Sequence, residues 1–405
     1  MEKDGTTQKL NRRGMRSKME RKRLDSLQAL RALACIGVML SHAGFSGRAF
    51  AGSGAWGVSV FFVLSGFVMI YSYYGRGKIQ SCSMKASFRF ALGRIKKLYP
   101  LMIIASLPIY SFQLQMVPFV KTIPQVILNL LLLQEWLPLR DRSILGVSWY
   151  LCVMMFFWLI FPAILQYMEK NYNRKKACSW IAVSALMQII VALIGKALMN
   201  VSADAGSIWT GDFCEWFVYK FPLSRIWDIV LGMNLGYLFL TTDRLQKLSV
   251  RRCTLLETVS VLLAAAAWVV YALCTPKITA SADTLFILPP ANVNSWWNYT
   301  LLFTVSTVFL VCSFALDKGR LSKILKNRFL LYIARLSPYL FITHFTVFFY
   351  ICIYLYQFSQ ATGNPIQTTY GGWINITVGS LISVILAQIW MKLESLVLRK
   401  KEKTL

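Results

Sequence analysis

The sequence predicts an all-α, polytopic membrane protein with about ten transmembrane helices and both termini cytoplasmic. Three observations carry that prediction. Of 405 residues, 56% are apolar and only 15% charged, with a mean hydropathy of +0.52, which excludes an ordinary soluble single-domain enzyme. Apolar runs near the ~20 residues that a helix needs to cross the hydrocarbon recur along the whole chain. Those runs are continuous and lack the polar/apolar alternation of a membrane β-barrel.

Taken in order, the first run, 27–45, holds Arg31 and His42, and the second, 55–74, holds Phe61 to Phe67. The third is 98–117. The segment 118–145, with Pro118, Pro124 and Pro138 around the apolar stretch Val126 to Leu133, is too short and broken for two spans and is expected to form one external or half-inserted helix. The fourth run, 146–168, carries Trp149 and Tyr150 near its outer end; the fifth is 178–199, and the sixth, 221–241, carries Arg225 and Asp228. Runs 254–274 and 297–316 follow, then 331–356 with Arg335 and His344, and last 373–398. No loop exceeds about thirty residues and no repeat divides the chain, so residues 27–398 form one membrane domain between basic tails at 1–26 and 399–405.

A formal charge of +27 could signal a polyanionic partner, so its distribution decides. Alternate threading puts 1–26, 75–97, 169–177, 242–253, 317–330 and 399–405 on one side. That side holds 33 of the 44 Lys and Arg; the opposite loops hold 6 (Arg48, Lys121, Arg140, Arg142, Lys220, Lys277) and the spans 5. Positive residues collect in cytoplasmic loops, so the tail Lys9, Arg12, Arg13, Arg16, Lys18, Arg21, Lys22, Arg23 is expected to orient the chain and meet anionic lipid rather than nucleic acid.

Several pattern matches fail on context. Gly52-Ser53-Gly54-Ala55-Trp56-Gly57 fits the dinucleotide-loop spacing, but is expected in an external loop rather than after a strand. Ala49-Phe50-Ala51 fits a signal-cleavage rule, yet the run before it is long enough to span and is expected to be retained. Nine cysteines without a C-x-x-C pair suit buried apolar packing better than metal or disulfide, and no metal is expected. No H-E-x-x-H and no Walker loop is present.

What remains is the set of ionisable residues inside apolar helices, where a charge costs at least ~2.5–3.5 kcal/mol on insertion scales and therefore marks a site by default. Both histidines of the chain, His42 and His344, are intramembrane, and imidazole exchanges protons near neutral pH. Arg31 and His42 are eleven residues apart, which on a helix is three turns plus about 20°, or about 16 Å of rise, on one face. Arg31 could hold the anionic end of an extended cytosolic molecule while His42 places a base near its far end. These two are the candidate catalytic residues. Arg335, the fifth residue of its run, is expected to snorkel.

The run Arg31, ten residues, His42, then Trp56-Gly57-Val58-Ser59-Val60-Phe61-Phe62-Val63-Leu64-Ser65-Gly66-Phe67, resembles the opening signature of acyltransferase family 3 of the membrane O-acyltransferases. Further similar stretches follow in order: Arg94-Ile95-Lys96-Lys97-Leu98-Tyr99-Pro100, Ser148-Trp149-Tyr150-Leu151, Pro222 to Gly232, and Ser337 to His344. The second basic position before the Pro is Lys97 rather than the usual Arg, which keeps the charge and loses the bidentate fork. In Ser337-Pro338-Tyr339-Leu340-Phe341-Ile342-Thr343-His344 both tyrosine positions of the family pattern are changed, while Ser and His keep their spacing.

The resemblance implies transfer of an acyl group, by default acetyl, from cytosolic acyl-CoA to a hydroxyl of a carbohydrate or related cell-envelope acceptor, in a bacterial plasma membrane. His42 would be the base, or a transient acyl carrier. Arg31, Arg94 and Lys97 would bind the CoA phosphates, with Arg89 and Lys96 as weaker candidates and Ser65 nearby. Trp149 and Tyr150 would stack on the acceptor or anchor the interface; Arg225 and Asp228 would contact substrate or form a structural i,i+3 ion pair; His344 would contact substrate. The expected partners are the bilayer, the acceptor and a possible separate extracytoplasmic protein, with no nucleic acid. A saccharide flippase or transporter, and a non-catalytic membrane sensor on the same fold, are the alternative readings.

Overall fold

The structure, a computed structural model, describes residues 21–44, 48–116, 119–139, 143–199, 201, 212–274 and 301–404. Lys9, Arg12, Arg13, Arg16 and Lys18 of the basic tail, Arg140, Arg142, Lys277 and the first four residues of the eighth run lie outside them. Among the described residues the chain is helical, without a β-strand. The elements are α1 (Asp25–His42), α2 (Arg48–Tyr73), α3 (Met84–Ile95), α4 (Tyr99–Met116), α5 (Phe119–Leu130), α6 (Trp149–Asn171), α7 (Arg174–Leu198), α8 (Pro222–Thr241), α9 (Val250–Cys274), α10 (Phe303–Ala315), α11 (Arg320–Leu325), α12 (Arg328–Thr362), α13 (Ile366–Ile374) and α14 (Ser380–Thr404). π-helical turns at Trp216–Lys220 and Asn375–Gly379 precede α8 and α14.

Seven helical stretches of the described chain are long and apolar enough to cross a membrane: α2, α6, α7, α8 with the turn before it, α9, α12, and α13 with α14. The other three predicted spans are helices too. α1 is 18 residues long but carries Asp25, Arg31 and His42, α4 contains Pro108, and the described part of the eighth is the 13-residue α10. The segment 118–145 contains a single helix, α5, of 12 residues with Pro124 inside it, about 18 Å long and short of a bilayer.

Two sequence expectations change. Gly52 to Gly57 is not an external loop: it lies within α2, where Gly54 faces Ser41 and Gly57 faces the Ala34 carbonyl of α1, so these glycines bring two helices together. The loop 75–97 contains a helix, α3, capped by Ser83, whose hydroxyl accepts the Ala86 amide at 3.3 Å. Its Ser87, Ala91 and Ile95 are buried while Met84, Phe88 and Leu92 are exposed, one turn apart along an apolar stripe.

The predicted same-side loops do meet at one end of the bundle. Asp317 takes Lys22 at 3.4 Å and Lys326 at 3.0 Å, the Gly75 amide donates to Glu169 at 2.8 Å, Arg174 donates to the Thr241 carbonyl, and Lys318 to that of Gln246. Glu257, fully buried at this end of α9, accepts from the Gly319, Leu321 and Ser322 amides at 3.1, 3.0 and 3.2 Å and from the Ser322 hydroxyl at 2.5 Å. It thereby satisfies the free donors that open α11.

The core is built on α2, which packs against α1, α8 and α10, with α12 on the other side of α1. The α2/α8 contact is reciprocal in glycine: a Cβ on Gly66 would overlap the Ile229 carbonyl, and one on Gly232 the Val63 carbonyl. With apolar tails on all sides, close backbone approach rather than hydrophobic drive holds such a pair. Gly232→Ala is expected to lower stability by about 1–3 kcal/mol, read as an earlier unfolding midpoint of the detergent-solubilised protein. Gly93→Ala, with open space around it, serves as the control; equal midpoints for both variants would refute the close-packing account.

Candidate active site

The site is assembled by α1 and α12. Pro338 interrupts the ladder of the 35-residue α12 and leaves the Ala334 carbonyl without its i+4 amide; the Ser337 hydroxyl donates to that carbonyl at 2.9 Å. This repair lets the helix continue to His344, which is fully buried. α1 ends at His42, and the following Ala43 carbonyl is taken by Asn375 Nδ2 at 2.9 Å, which fixes the end of α1 from the π-helical turn. The two helices thus meet histidine to histidine.

His42 Nδ1 lies 2.9 Å from His344 Nε2, and the rings are stacked at 5.2 Å with 13° between their planes. The proton positions follow from the outermost partner. His344 Nδ1 is 2.7 Å from the Leu340 carbonyl, which only accepts, so Nδ1 carries the hydrogen. In neutral His344 the Nε2 is then a lone pair, His42 Nδ1 must donate to it, and His42 Nε2 is left with a free lone pair. The chain Leu340 carbonyl, His344, His42 therefore orders one tautomer of His42 and presents a base. Phe345 meets the His42 ring edge-on at 5.6 Å and limits its rotation.

On the basic side of the histidine pair lies a cavity of about 130 Å³ lined by Arg31, Ser65, Tyr150, Trp158, Pro338 and Phe341 among others. Arg31 forms no hydrogen bond or ion pair with the described residues, so its guanidinium faces this cavity without an anion. Tyr150 and Ser65 hydroxyls are 3.4 Å apart. Phe341 closes the cavity toward the histidines: its ring packs on Phe61 at 5.9 Å, Tyr150 at 5.2 Å and His344 at 6.2 Å. The helix spacing that predicts Arg31 and His42 on one face thus corresponds to a cavity at one level and the histidine pair about three turns beyond it.

The remaining predicted residues are placed elsewhere. Arg94 lies over the rings of Tyr73 and Phe90 at 5.4 and 5.5 Å, with Nη2 2.5 Å from Met69 Sδ. Lys97 pairs with Glu394 at 3.2 Å, and Tyr339 donates to the same carboxylate; its neighbour Leu98 lines the cavity, so Lys97 stands at the rim. Arg89, Lys96 and Arg335 are exposed. Trp149 is buried, its ring packing on Tyr219 at 4.7 Å with the planes tilted by 46°. Arg225 and Asp228 are fully buried and pair at 3.0 Å; Gln188 and Thr304 donate to Asp228 at 2.7 and 3.3 Å, and Arg225 lies over Phe62 at 5.0 Å. Sequence reasoning missed Glu394, Asn375 and Phe341 as parts of this region. Asn375 and Glu394 were findable by the same signal as Arg31, a polar side chain in an apolar run.

Residues 24–391 match the sequence profile of the family described as Acyltransferase domain. The chain is 28% identical over 238 residues to Acyltransferase MdmB of Streptomyces mycarofaciens, a match covering 54% of this chain and 58% of that protein. It therefore spans under two thirds of that relative's length. No solved structure matches the chain.

Proposed function

Since the chain belongs to the acyltransferase family that residues 24–391 match, we propose that it is a membrane O-acyltransferase, moving an acyl group, acetyl by default, from cytosolic acyl-CoA to a hydroxyl of a cell-envelope carbohydrate or related acceptor. In this reading α1, α4 and α10 span with the seven longer stretches, ten spans in all. The basic end and both termini face the cytoplasm of a bacterium, in keeping with the positive-inside rule.

One observation carries the reading: a tautomer-fixed histidine pair at 2.9 Å stands beyond an internal cavity that holds an unpaired Arg31. A sugar hydroxyl is a weak nucleophile at neutral pH, so a positioned base must take its proton as it attacks the thioester. His42 Nε2 takes that proton, the hydroxyl oxygen bonds to the thioester carbon, and the carbon–sulfur bond breaks. The departing CoA thiolate receives the proton back from His42, so the imidazole ends neutral. Arg31, about 16 Å from His42 along α1, supplies donor hydrogen bonds to acceptor oxygens of the CoA arm, with the Ser65 and Tyr150 hydroxyls beside it. CoA is a co-substrate that this cavity suits through its cationic and hydroxyl lining. Trp149 and Arg225, both buried against the Phe62 ring, support the wall rather than touch the acceptor.

The test is direct. Purified protein given radiolabelled acetyl-CoA and a panel of envelope saccharides is expected to release free CoA and form labelled ester only when an acceptor is present. Binding of acetyl-CoA without any acceptor-dependent ester across the panel would favour a sensor; saccharide movement across vesicles without ester would favour a transporter.

A further inference from the structure

A second cavity, of about 240 Å³, opens at the basic end between the start of α1 and the end of α2, lined among others by Arg21, Lys22, Arg23, Gln28, Ser72 and Arg76. Among the described residues four cations and no carboxylate line it. Three of the cations have internal duties. Arg21 donates to the Ile70, Tyr71 and Tyr74 carbonyls and so caps the end of α2, where a cation suits the helix dipole. Lys22 reaches Asp317 at 3.4 Å and Arg23 reaches Asp25 at 2.5 Å. The side chains of Arg76, Gln28 and Ser72 make no hydrogen bond or ion pair with the described residues. Burial, opposed by Tyr71 and reinforced by the charge of Arg76, holds the Arg21 guanidinium below its ordinary pKa.

The position of this cavity matters as much as its charge. Gln28 precedes Arg31 by three residues on α1, and Val68 and Ser72 follow Ser65 by three and seven on α2. Each spacing keeps to one helix face. The two cavities thus lie at successive levels along the same faces of α1 and α2, the deeper one walled also by α6 and α12, and from Gln28 to His42 the helix rises about 21 Å. An extended ligand entering at Arg76 would pass Arg31 and reach Phe341, whose ring stands between the deeper cavity and the histidines.

We propose that this vestibule is the phosphate-binding site of the protein and holds the phosphate groups of the CoA donor, in place of the Arg94 and Lys97 cluster; the assignment rests on the acyl-CoA reading above. Arg94 is held over aromatic faces with Nη2 against Met69 Sδ, and Lys97 is taken by Glu394, whereas Arg76 lines this cavity and brings the fork that suits phosphate oxygens. Arg21 positions the wall, and Gln28 and Ser72 donate to phosphate oxygens from the two helices.

Calorimetric titration of the full chain in uncharged detergent tests it, with CoA, pantetheine and phosphatidylglycerol micelles as probes. Arg76→Glu is expected to weaken CoA at least about tenfold, the loss of one charge-assisted contact, and to leave pantetheine unchanged; Lys97→Gln is expected to change CoA binding less. Wild-type affinity for CoA in Arg76→Glu would overturn the assignment while leaving the donor reading intact. So would CoA binding the wild type no better than pantetheine, or an Arg76→Glu effect confined to phosphatidylglycerol, which would make the site a lipid-headgroup site. A wild type that binds neither CoA nor pantetheine defeats the donor reading and this assignment together. Circular dichroism and gel-filtration profiles matching wild type establish that the variant is folded.

Discussion

His42→Ala is expected to lower the acyl-transfer rate by about 10²–10⁴-fold, the usual contribution of a positioned general base, with little change in CoA affinity. His344 touches no reacting atom in the mechanism; it is a positioning residue, and its variants should separate orientation from chemistry. His344→Leu removes the acceptor that holds His42 Nδ1–H, so the imidazole samples both tautomers and loses about 10- to 100-fold, the cost typical of removing the partner that orients a functional histidine. His344→Gln keeps an acceptor oxygen near the position of Nε2 and is expected to recover part of that loss. The ordering wild type, His344→Gln, His344→Leu, His42→Ala in kcat, with KM for acetyl-CoA nearly constant, is the signature of the relay read from the 2.9 and 2.7 Å contacts. Equal activity of the two His344 variants would show that burial of the ring, and not its lone pair, is what matters, and undiminished transfer in His42→Ala would remove the base altogether.

The helices were legible because their signal is local. A run near the bilayer length declares itself from composition alone, and α6, α7 and α9 fall where the apolar runs do. α3 escaped notice because its stripe Met84, Phe88, Leu92 is interleaved with Lys85, Arg89 and Arg94, so mean hydropathy across it is low although the periodic pattern is present. Gly52 to Gly57 was misplaced because glycine enrichment suggests a loop in water, whereas between membrane helices it marks close approach. At the site, Arg31 and His42 could be singled out since a charge in hydrocarbon needs a reason. Their surroundings could not. The His42 to His344 contact joins residues 302 apart, and the capture of Lys97 by Glu394 joins α14 to the start of α4; no spacing rule carries such pairings. The surroundings of Arg94 were hidden for the same reason: its charge was visible, and the rings of Tyr73 and Phe90 against it were not.

The buried pair Arg225 and Asp228 separates stability from activity most cleanly. Asp228 is reached by Arg225 of its own helix at 3.0 Å, by Gln188 of α7 at 2.7 Å and by Thr304 of α10 at 3.3 Å, so one carboxylate ties three helices. Asp228→Ala breaks the 3.0 Å ion pair of Arg225, which is fully buried against Phe62, and this is expected to cost about 3–5 kcal/mol, the penalty of breaking a buried pair from one side. Removing both charges avoids that penalty: Arg225→Met with Asp228→Leu leaves no buried charge, gives up the hydrogen bonds that Gln188 and Thr304 donate to Asp228, and is expected to unfold close to wild type. Thermal unfolding in detergent, followed by gel filtration, gives the cycle. If the pair is structural, the double variant regains both its midpoint and its transfer rate. If the pair contacts substrate, the double variant regains the midpoint while acyl transfer stays low, because a well-packed apolar pair restores the helix interface but offers a polar acceptor nothing to bind. Both side chains are buried and neither lines the cavity that holds Arg31, Arg225 lying instead over the Phe62 and Tyr219 rings, which favours recovery of both.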